Sequence, residues 1–503
     1  MEEFSPPIAD RTTPLPGARN ALILLLSINL FNYIDRQVLS AVLPKLELDA
    51  SLFSPIDPYL KTKLGSLTTA FMVSYMLLSP LFGWFGDRRS RWALVGVAVI
   101  VWSLASGGTG LATSFILLLL TRCVVGTGEA AYGPVAPSML SDMYPAFERG
   151  RIMALFYLAI PVGSALGFVV GGHVADTSWG WRGAFLLVVL PGLLLGATCF
   201  FMKEPPRADS GALHQYGYRF VLRKVLQVKS YQFVTFGYTL ITFVLGGVAA
   251  WTPSYIFERE AKFEINDRTV QKLEDMKASD GTRMVPAEVT EKLRQATGAV
   301  VYKSAQLKEK LASLLSPRQI EQYNARIYDA LVTEDSLKTG EIGPIFGAIV
   351  VVSGLGATLL GGYLGDRLRP RFGGAYFLVS GISALLAVPF FVAMLYVPFP
   401  YAWAFVFLAV FGLFVNTGPV NTILANVIPD QVRATAFALN ILIIHALGDA
   451  ISPILIGFVA DKSSLHIAFL LVSILIALGG LVWIWGAKYL QQDTENAPML
   501  LKS

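Results

Sequence analysis

Apolar runs of about 20 residues, each long enough to cross a bilayer, recur twelve times along this chain of 503 residues. They lie at about 21–43, 64–84, 93–112, 115–137, 152–173, 183–202, 231–256, 342–364, 374–397, 401–424, 434–458 and 465–487. The chain is 54% hydrophobic and only 15% charged, so too little polar surface separates the runs for a soluble core to form. The expected fold class is therefore an all-α membrane protein. Residues 1–18 are polar and Pro-rich, carry Glu2 and Glu3, and lack the basic start and small-residue cleavage site of a secretory signal. The first helix is expected to insert and to stay in the protein. Cys123 and Cys199 both fall inside apolar runs and read as small packing residues, not as a disulfide or a metal site.

The spans divide six and six around a polar linker at 203–230 that carries Lys203, Arg207, Arg219, Arg223, Lys224 and Lys229. An even number of spans puts both termini on one side. The short segments on that side hold nineteen Lys and Arg residues, and those on the other side hold five: Lys45, Lys61, Lys63, Arg182 and Lys462. The bias predicts that both termini are cytoplasmic. The expected organisation is a tail at 1–20, a six-helix bundle at 21–202, the linker, a second bundle at 231–487 and a tail at 488–503. Between spans seven and eight a segment at 258–340, with 14 basic and 14 acidic residues, reads as an extracytoplasmic insertion. In it Ile320, Tyr323, Ile327 and Leu331 recur at helical spacing after a Ser316-Pro317 start. Both a self-packed helical cap and a gating or partner role fit that pattern.

Only two basic residues remain inside the spans, Arg36 and Arg122, with the acids Asp35, Glu129 and Asp449. Charges at membrane depth cost several kcal/mol or more, so they face an interior cavity or a partner. Arg122 and Glu129 are seven residues apart, close to two helical turns, and share one face of span four. The expected network sets Asp35 beside Arg36 and Glu129 near Arg122. A carboxylate whose arginine partner approaches and withdraws can bind and release a proton. Arginine keeps its charge and serves as the fixed counter-ion. Asp35, Glu129 and Arg122 are thus the candidate coupling residues, and a permanent staple between spans one and four is the competing reading. Arg36 lies about 100° from Asp35 on a helix and is free to face a different partner or the headgroups. His445 and Asp449 are one turn apart in span eleven and can touch, as a core contact or as part of a relay or substrate site. Asn32, Tyr33 and Tyr157, with Asn416 in span ten, are candidates to line an amphiphilic cavity; packing and interhelical hydrogen bonds account for them equally well. Gly163, Gly167 and Gly171 form a small-residue stripe of the kind that lets helices approach closely.

The halves echo each other. Gly83-Trp-Phe-Gly86-Asp87-Arg88-Arg89-Ser-Arg91 follows span two, and Gly362-Tyr-Leu-Gly365-Asp366-Arg367-Leu-Arg369 follows span eight, offset by 279. Gly163 with Val174-Ala175-Asp176 matches Gly448 with Val459-Ala460-Asp461, offset by 285. Repeated halves with a site at the midplane between them are a recurrent transporter design. No Gly-x-Ser-x-Gly elbow, His-Glu-x-x-His motif or phosphate-binding glycine loop appears, so an enzyme is not expected.

The Gly83-xxx-Asp87-Arg88-xx-Arg91 loop resembles the loop signature of the major facilitator superfamily. The resemblance implies two pseudo-symmetric six-helix bundles, and a gating role for Gly83, Asp87, Arg88, Arg91, Asp366 and Arg367 at the cytoplasmic helix ends. A narrower resemblance rests on Asn32-Tyr33-Ile34-Asp35-Arg36, Leu120-Thr121-Arg122 with Gly126-Thr-Gly128-Glu129-Ala130, Phe156-Tyr157 with Pro161-Val-Gly163-Ser164, Glu204-Pro205-Pro206-Arg207, and His445-Ala-Leu-Gly448-Asp449. Together these resemble the Spinster family of lipid transporters. That resemblance implies proton-linked transport of lysophospholipids or sphingosine-phosphate-like lipids, with Asp35, Arg122 and Glu129 as the coupling residues. Substrate lipid, protons and the surrounding membrane lipids are the partners it implies, with no cofactor, no metal, no nucleic acid and a monomeric protein. The 258–340 insertion sets the chain apart from the animal members and points to a bacterial inner membrane. Asn-Tyr-x-Asp-Arg alone also resembles sugar-acid symporters of the same superfamily, which leaves a small organic anion as the alternative substrate.

Overall fold

The structure, a computed structural model, describes residues 13–49, 51–54, 57–86, 89–204, 218–277, 283–333, 336–337, 339–429 and 432–501. Among these, twelve helices are long and apolar enough to cross a membrane, from Ala18–Glu47 to Leu465–Gly486. Several run past the apolar stretches that announce them: span one ends at Glu47 and span seven covers Lys229–Glu260. The added turns carry the charged residues Lys45, Glu47, Lys229 and Glu260 while the backbone stays helical. Ser90, Ser114 and Ser464 cap spans three, four and twelve by accepting from the backbone N–H three residues on.

Among the described residues, three spans are broken. Span six divides into Gly180–Leu187 and Val189–Cys199. Span ten divides at Asn416 into Ala402–Phe414 and Thr417–Val427. Span eleven, Ala436–Lys462, holds a wide π-type turn over His445–Asp449, where Gly448 takes φ −104° and ψ −105°. Wide turns of this kind recur at functional sites.

Within the first half, span one packs on five and span four on two and three; in the second, span nine packs on ten and twelve. The most extensive contacts between the halves among the described residues are five with eight, two with eleven, and one with seven. The first two pairs exchange under the internal repeat. The glycine stripe in span five lies on span one, where a Cβ at Gly163, Gly167 or Gly171 would come 2.5–2.8 Å from Leu30, Ile34 or Ala41. That close approach fixes how deeply Asp35 is set between the helices.

Between spans seven and eight, strands Lys262–Glu264 and Val301–Lys303 pair antiparallel, and four helices surround them: Asp267–Glu274, Ala287–Gln295, Ser304–Leu314 and Pro317–Leu331. Ser316 caps the last of these, and Ile320, Tyr323, Ile327 and Leu331 are buried along its inner face. The strand pair has no periodic signature in the sequence because each strand is only three residues long.

Candidate functional site: a buried charge cluster in the first half

Span one turns Asn32, Asp35 and Arg36 toward spans three and four, and Asn32, Asp35, Arg122 and Glu129 are each 2% exposed or less. The ion pair that forms is Arg36 Nε to Glu129 Oε2, at 2.6 Å. This differs from the expected pairing of neighbours in sequence. Arg122 and Glu129 share a face but stand about 10 Å apart along the helix axis, too far for direct contact. Arg36, rotated away from Asp35, reaches Glu129 instead. The Arg36 guanidinium sits among the rings of Tyr33, Phe71 and Tyr75 at 4.9, 5.1 and 5.0 Å. Arg122 lies over the other part of this wall, 5.4 Å from the Phe71 ring. A flat, weakly hydrated guanidinium suits such an aromatic box, because its faces stack on the rings while its edge stays free to donate.

Asp35 takes its partner from span three: the Ser106 hydroxyl donates to Oδ1. Sequence reasoning missed Ser106, because a serine in an apolar run reads as packing. Several other polar atoms of the cluster are left open. Asn32 Nδ2, Asp35 Oδ2, Glu129 Oε1 and the Nε and one terminal nitrogen of Arg122 are buried without a hydrogen-bond partner. Buried polar groups of this kind are costly when unsatisfied. The cluster therefore has capacity for protons, water or an anionic group.

Tyr157 is 48% exposed and stacks edge-on with Phe156. Asn416 is buried at the break of span ten, where its amide nitrogen donates to the Leu413 carbonyl. His445 and Asp449 do meet, with Nδ1 2.9 Å from both carboxylate oxygens and both side chains part-exposed. The π-turn brings them side by side, and Gly448 lets the segment lie against Thr239 and Phe243 of span seven.

At the helix ends on the side of the termini, Arg91 gathers three spans. It reaches Asp142 of the span-four helix at 2.5 Å and Glu204, beyond span six, at 3.0 Å. Glu204 also accepts from Ser90 and from the Arg91 backbone. Burial pushes the Glu204 carboxyl up, but hydrogen bonds from Arg91, Ser90 and Trp92 outweigh it and hold the group below its ordinary 4.5. In the second half Asp366 accepts from Tyr376 at 2.8 Å and Arg367 donates to Tyr363 of its own helix at 2.6 Å. Gly83 lies in the helix Leu60–Gly86, while Asp87 and Arg88 fall outside the described residues.

The fold is that of a membrane transporter, and the Major Facilitator Superfamily profile matches residues 25–266 and 325–498. The chain belongs to that superfamily. The gap between the two matched stretches falls in the insertion. Within the superfamily it is a member of the Spinster family. It is 30% identical to protein spinster homolog 1 of Homo sapiens over 97% of this chain and 84% of that one. It is 29% identical to spinster homolog 3 of Danio rerio over 98% and 90%. A bacterial homologue of the human lysosomal transporter Spinster, in an inward-facing and unoccupied conformation, shares the fold with TM-score 0.69 and 19% identity, over 95% of this chain and 98% of that one. A D-xylose–proton symporter follows with TM-score 0.58 and 15% identity, over 92% and 96%. The chain is thus a multi-pass integral membrane protein of a transporter family.

Proposed function

We propose that the protein is a proton-coupled secondary transporter of amphiphilic lipids, of the lysophospholipid or sphingosine-phosphate-like class, working by alternating access of its two six-helix bundles. The observation that carries the coupling is the incompletely satisfied cluster of Asp35, Arg36, Arg122 and Glu129. A static staple gains from having every hydrogen bond filled. Here Glu129 holds Arg36 through one oxygen while Oε1 stays open, and Arg122 keeps two open donors. Such a cluster can re-pair as the helices rock. Asp35 and Glu129 are the proton carriers, Arg36 and Arg122 their counter-charges, and Asn32, Tyr33, Tyr157, His445 and Asp449 line the path of the substrate. The lipid class rests on the Spinster kinship.

The nineteen-to-five bias of Lys and Arg supports cytoplasmic termini, which puts the insertion outside. In that orientation the close approaches of Gly65 to Pro453 and of Gly343 to Phe168 lie toward the outer side. We place the protein in a bacterial inner membrane as a monomer.

Reconstitution into liposomes with a pH gradient and a labelled lysolipid tests the reading. Uptake should follow the gradient, and Asp35→Asn should abolish that dependence. Wild-type rate and pH dependence in Asp35→Asn would remove Asp35 from coupling. Competition by a sugar acid, with no lysolipid transport, would replace the lipid by a small organic anion.

A further inference from the structure

Asp176 ends span five and Asp461 ends span eleven, and their offset of 285 is the one that relates Gly163 to Gly448. In space each carboxylate leaves its own half and caps a helix of the other. Asp461 accepts from the backbone N–H of Lys61 at 2.8 Å and of Thr62 at 2.7 Å, and from the Thr62 hydroxyl at 2.6 Å. These groups belong to the first turn of span two, which starts at Leu60. Asp176 accepts from the backbone N–H of Gly340 at 2.6 Å, in the first turn of span eight. Lys61 and Gly340 are themselves related by 279, the offset of the two Gly-x-x-Gly-Asp-Arg loops. Donor and acceptor therefore both repeat.

The first N–H groups of a helix have no partner within it and form the positive end of the helix dipole. A carboxylate delivered from the opposite bundle answers both needs, but only while the two bundles touch at that point. Close backbone contact surrounds each cap: a Cβ at Gly65 would strike Pro453, and one at Gly343 would strike the Phe168 carbonyl. Lysines flank them. Lys45 Nζ lies 3.5 Å from Asp176 and 2.7 Å from Asp329 of the insertion, and Lys61 Nζ meets Glu47 at 3.1 Å and also pairs with Glu258.

We propose that Asp176 and Asp461 are a symmetric pair of positioning residues for the transport cycle. Each is a helix cap supplied across the bundle interface, and together they hold closed the face opposite the termini. Their release sets how often that face opens. Through Lys45 the insertion is tied to the span-five cap, which makes it part of the same closure. This inference rests on alternating access but on neither the lipid substrate nor the proton.

The test uses the full chain in proteoliposomes, with Cys123 and Cys199 replaced by serine and a single reporter, Ala165→Cys. Ala165 faces Gly347 across the contact of spans five and eight. A membrane-impermeant maleimide is applied from the side that bears the insertion, without lipid substrate or pH gradient. Failure of the lipid or proton reading therefore leaves this result intact. Asp176→Ala and Asp461→Ala should each raise the labelling rate by between about twofold and thirtyfold, the range that loss of a helix cap implies. The double Asp→Asn variant should rise less than the double Asp→Ala variant, because asparagine keeps one accepting oxygen but loses the second, which Asp461 also uses, together with the charge. Parental labelling in Asp176→Ala/Asp461→Ala overturns the proposal, including where the thermal midpoint falls, since the contacts would then only be structural. An equal rise in the Asp→Asn variant also overturns it, by assigning the effect to lost charge beside Lys45 and Lys61.

Discussion

Arg36 meets Glu129 through one nitrogen and one oxygen, with three aromatic rings closing the other sides of its guanidinium. Burying both charges costs several kcal/mol, and their mutual attraction repays it only while both are present. Glu129→Gln leaves Arg36 buried against a neutral amide and should lower stability by about 3–5 kcal/mol. Arg36→Gln/Glu129→Gln should lose markedly less than the sum of the two single changes. Thermal unfolding of the four proteins in detergent closes the cycle, and additive losses would show that the pair contributes no coupling. Ser106 is the quieter member of the site: it holds one oxygen of Asp35 and leaves the other open.

At the scale of the helix, Arg91 shows how one side chain ties three ends together. Its partner Glu204 has a carboxyl held below 4.5 by the hydrogen bonds it accepts. A group depressed on folding contributes stability that is present above its unfolded value and lost as pH falls through the folded one. Glu204→Gln should therefore reduce the thermal midpoint at pH 7. The gap from the parent should close as the pH falls below about 4. A gap unchanged at low pH would mean that the charge on Glu204 is not what binds the helix ends. The spans themselves were legible, because a run of about 20 apolar residues admits few other folds. The glycine stripe was legible too, since only small residues at a four-residue period allow the approach seen between spans one and five. The partner of Arg36 was not. Sequence fixes a residue's angle on its own helix, but not the rotation of that helix against its neighbours. The break of span ten at Asn416 and the π-turn at His445–Asp449 were hidden for a related reason: a break inside an apolar run leaves the hydropathy unchanged.

For the whole molecule, the repeat does more than duplicate a bundle. Spans five and eight and spans two and eleven form one contact twice, and span one meets its own counterpart, span seven. The sequence showed both offsets, 279 and 285, but it could not show that residues found by one would bond to residues found by the other. That follows only when the halves are brought face to face. The consequence is mechanical. If the two bundles rock about a shared axis, both contacts must part together, and holding one should stop the cycle. A Cβ at Gly347 lies 3.2 Å from that of Ala165, within reach of a bridge after a small adjustment of span eight. Ala165→Cys/Gly347→Cys in the background free of native cysteines should lose nearly all transport on oxidation and recover it with a thiol reductant. Each single cysteine should be indifferent to both treatments. Full transport with the bridge quantitatively formed would mean that the contact of spans five and eight stays closed through the cycle, and that the bundles move about it instead of across it.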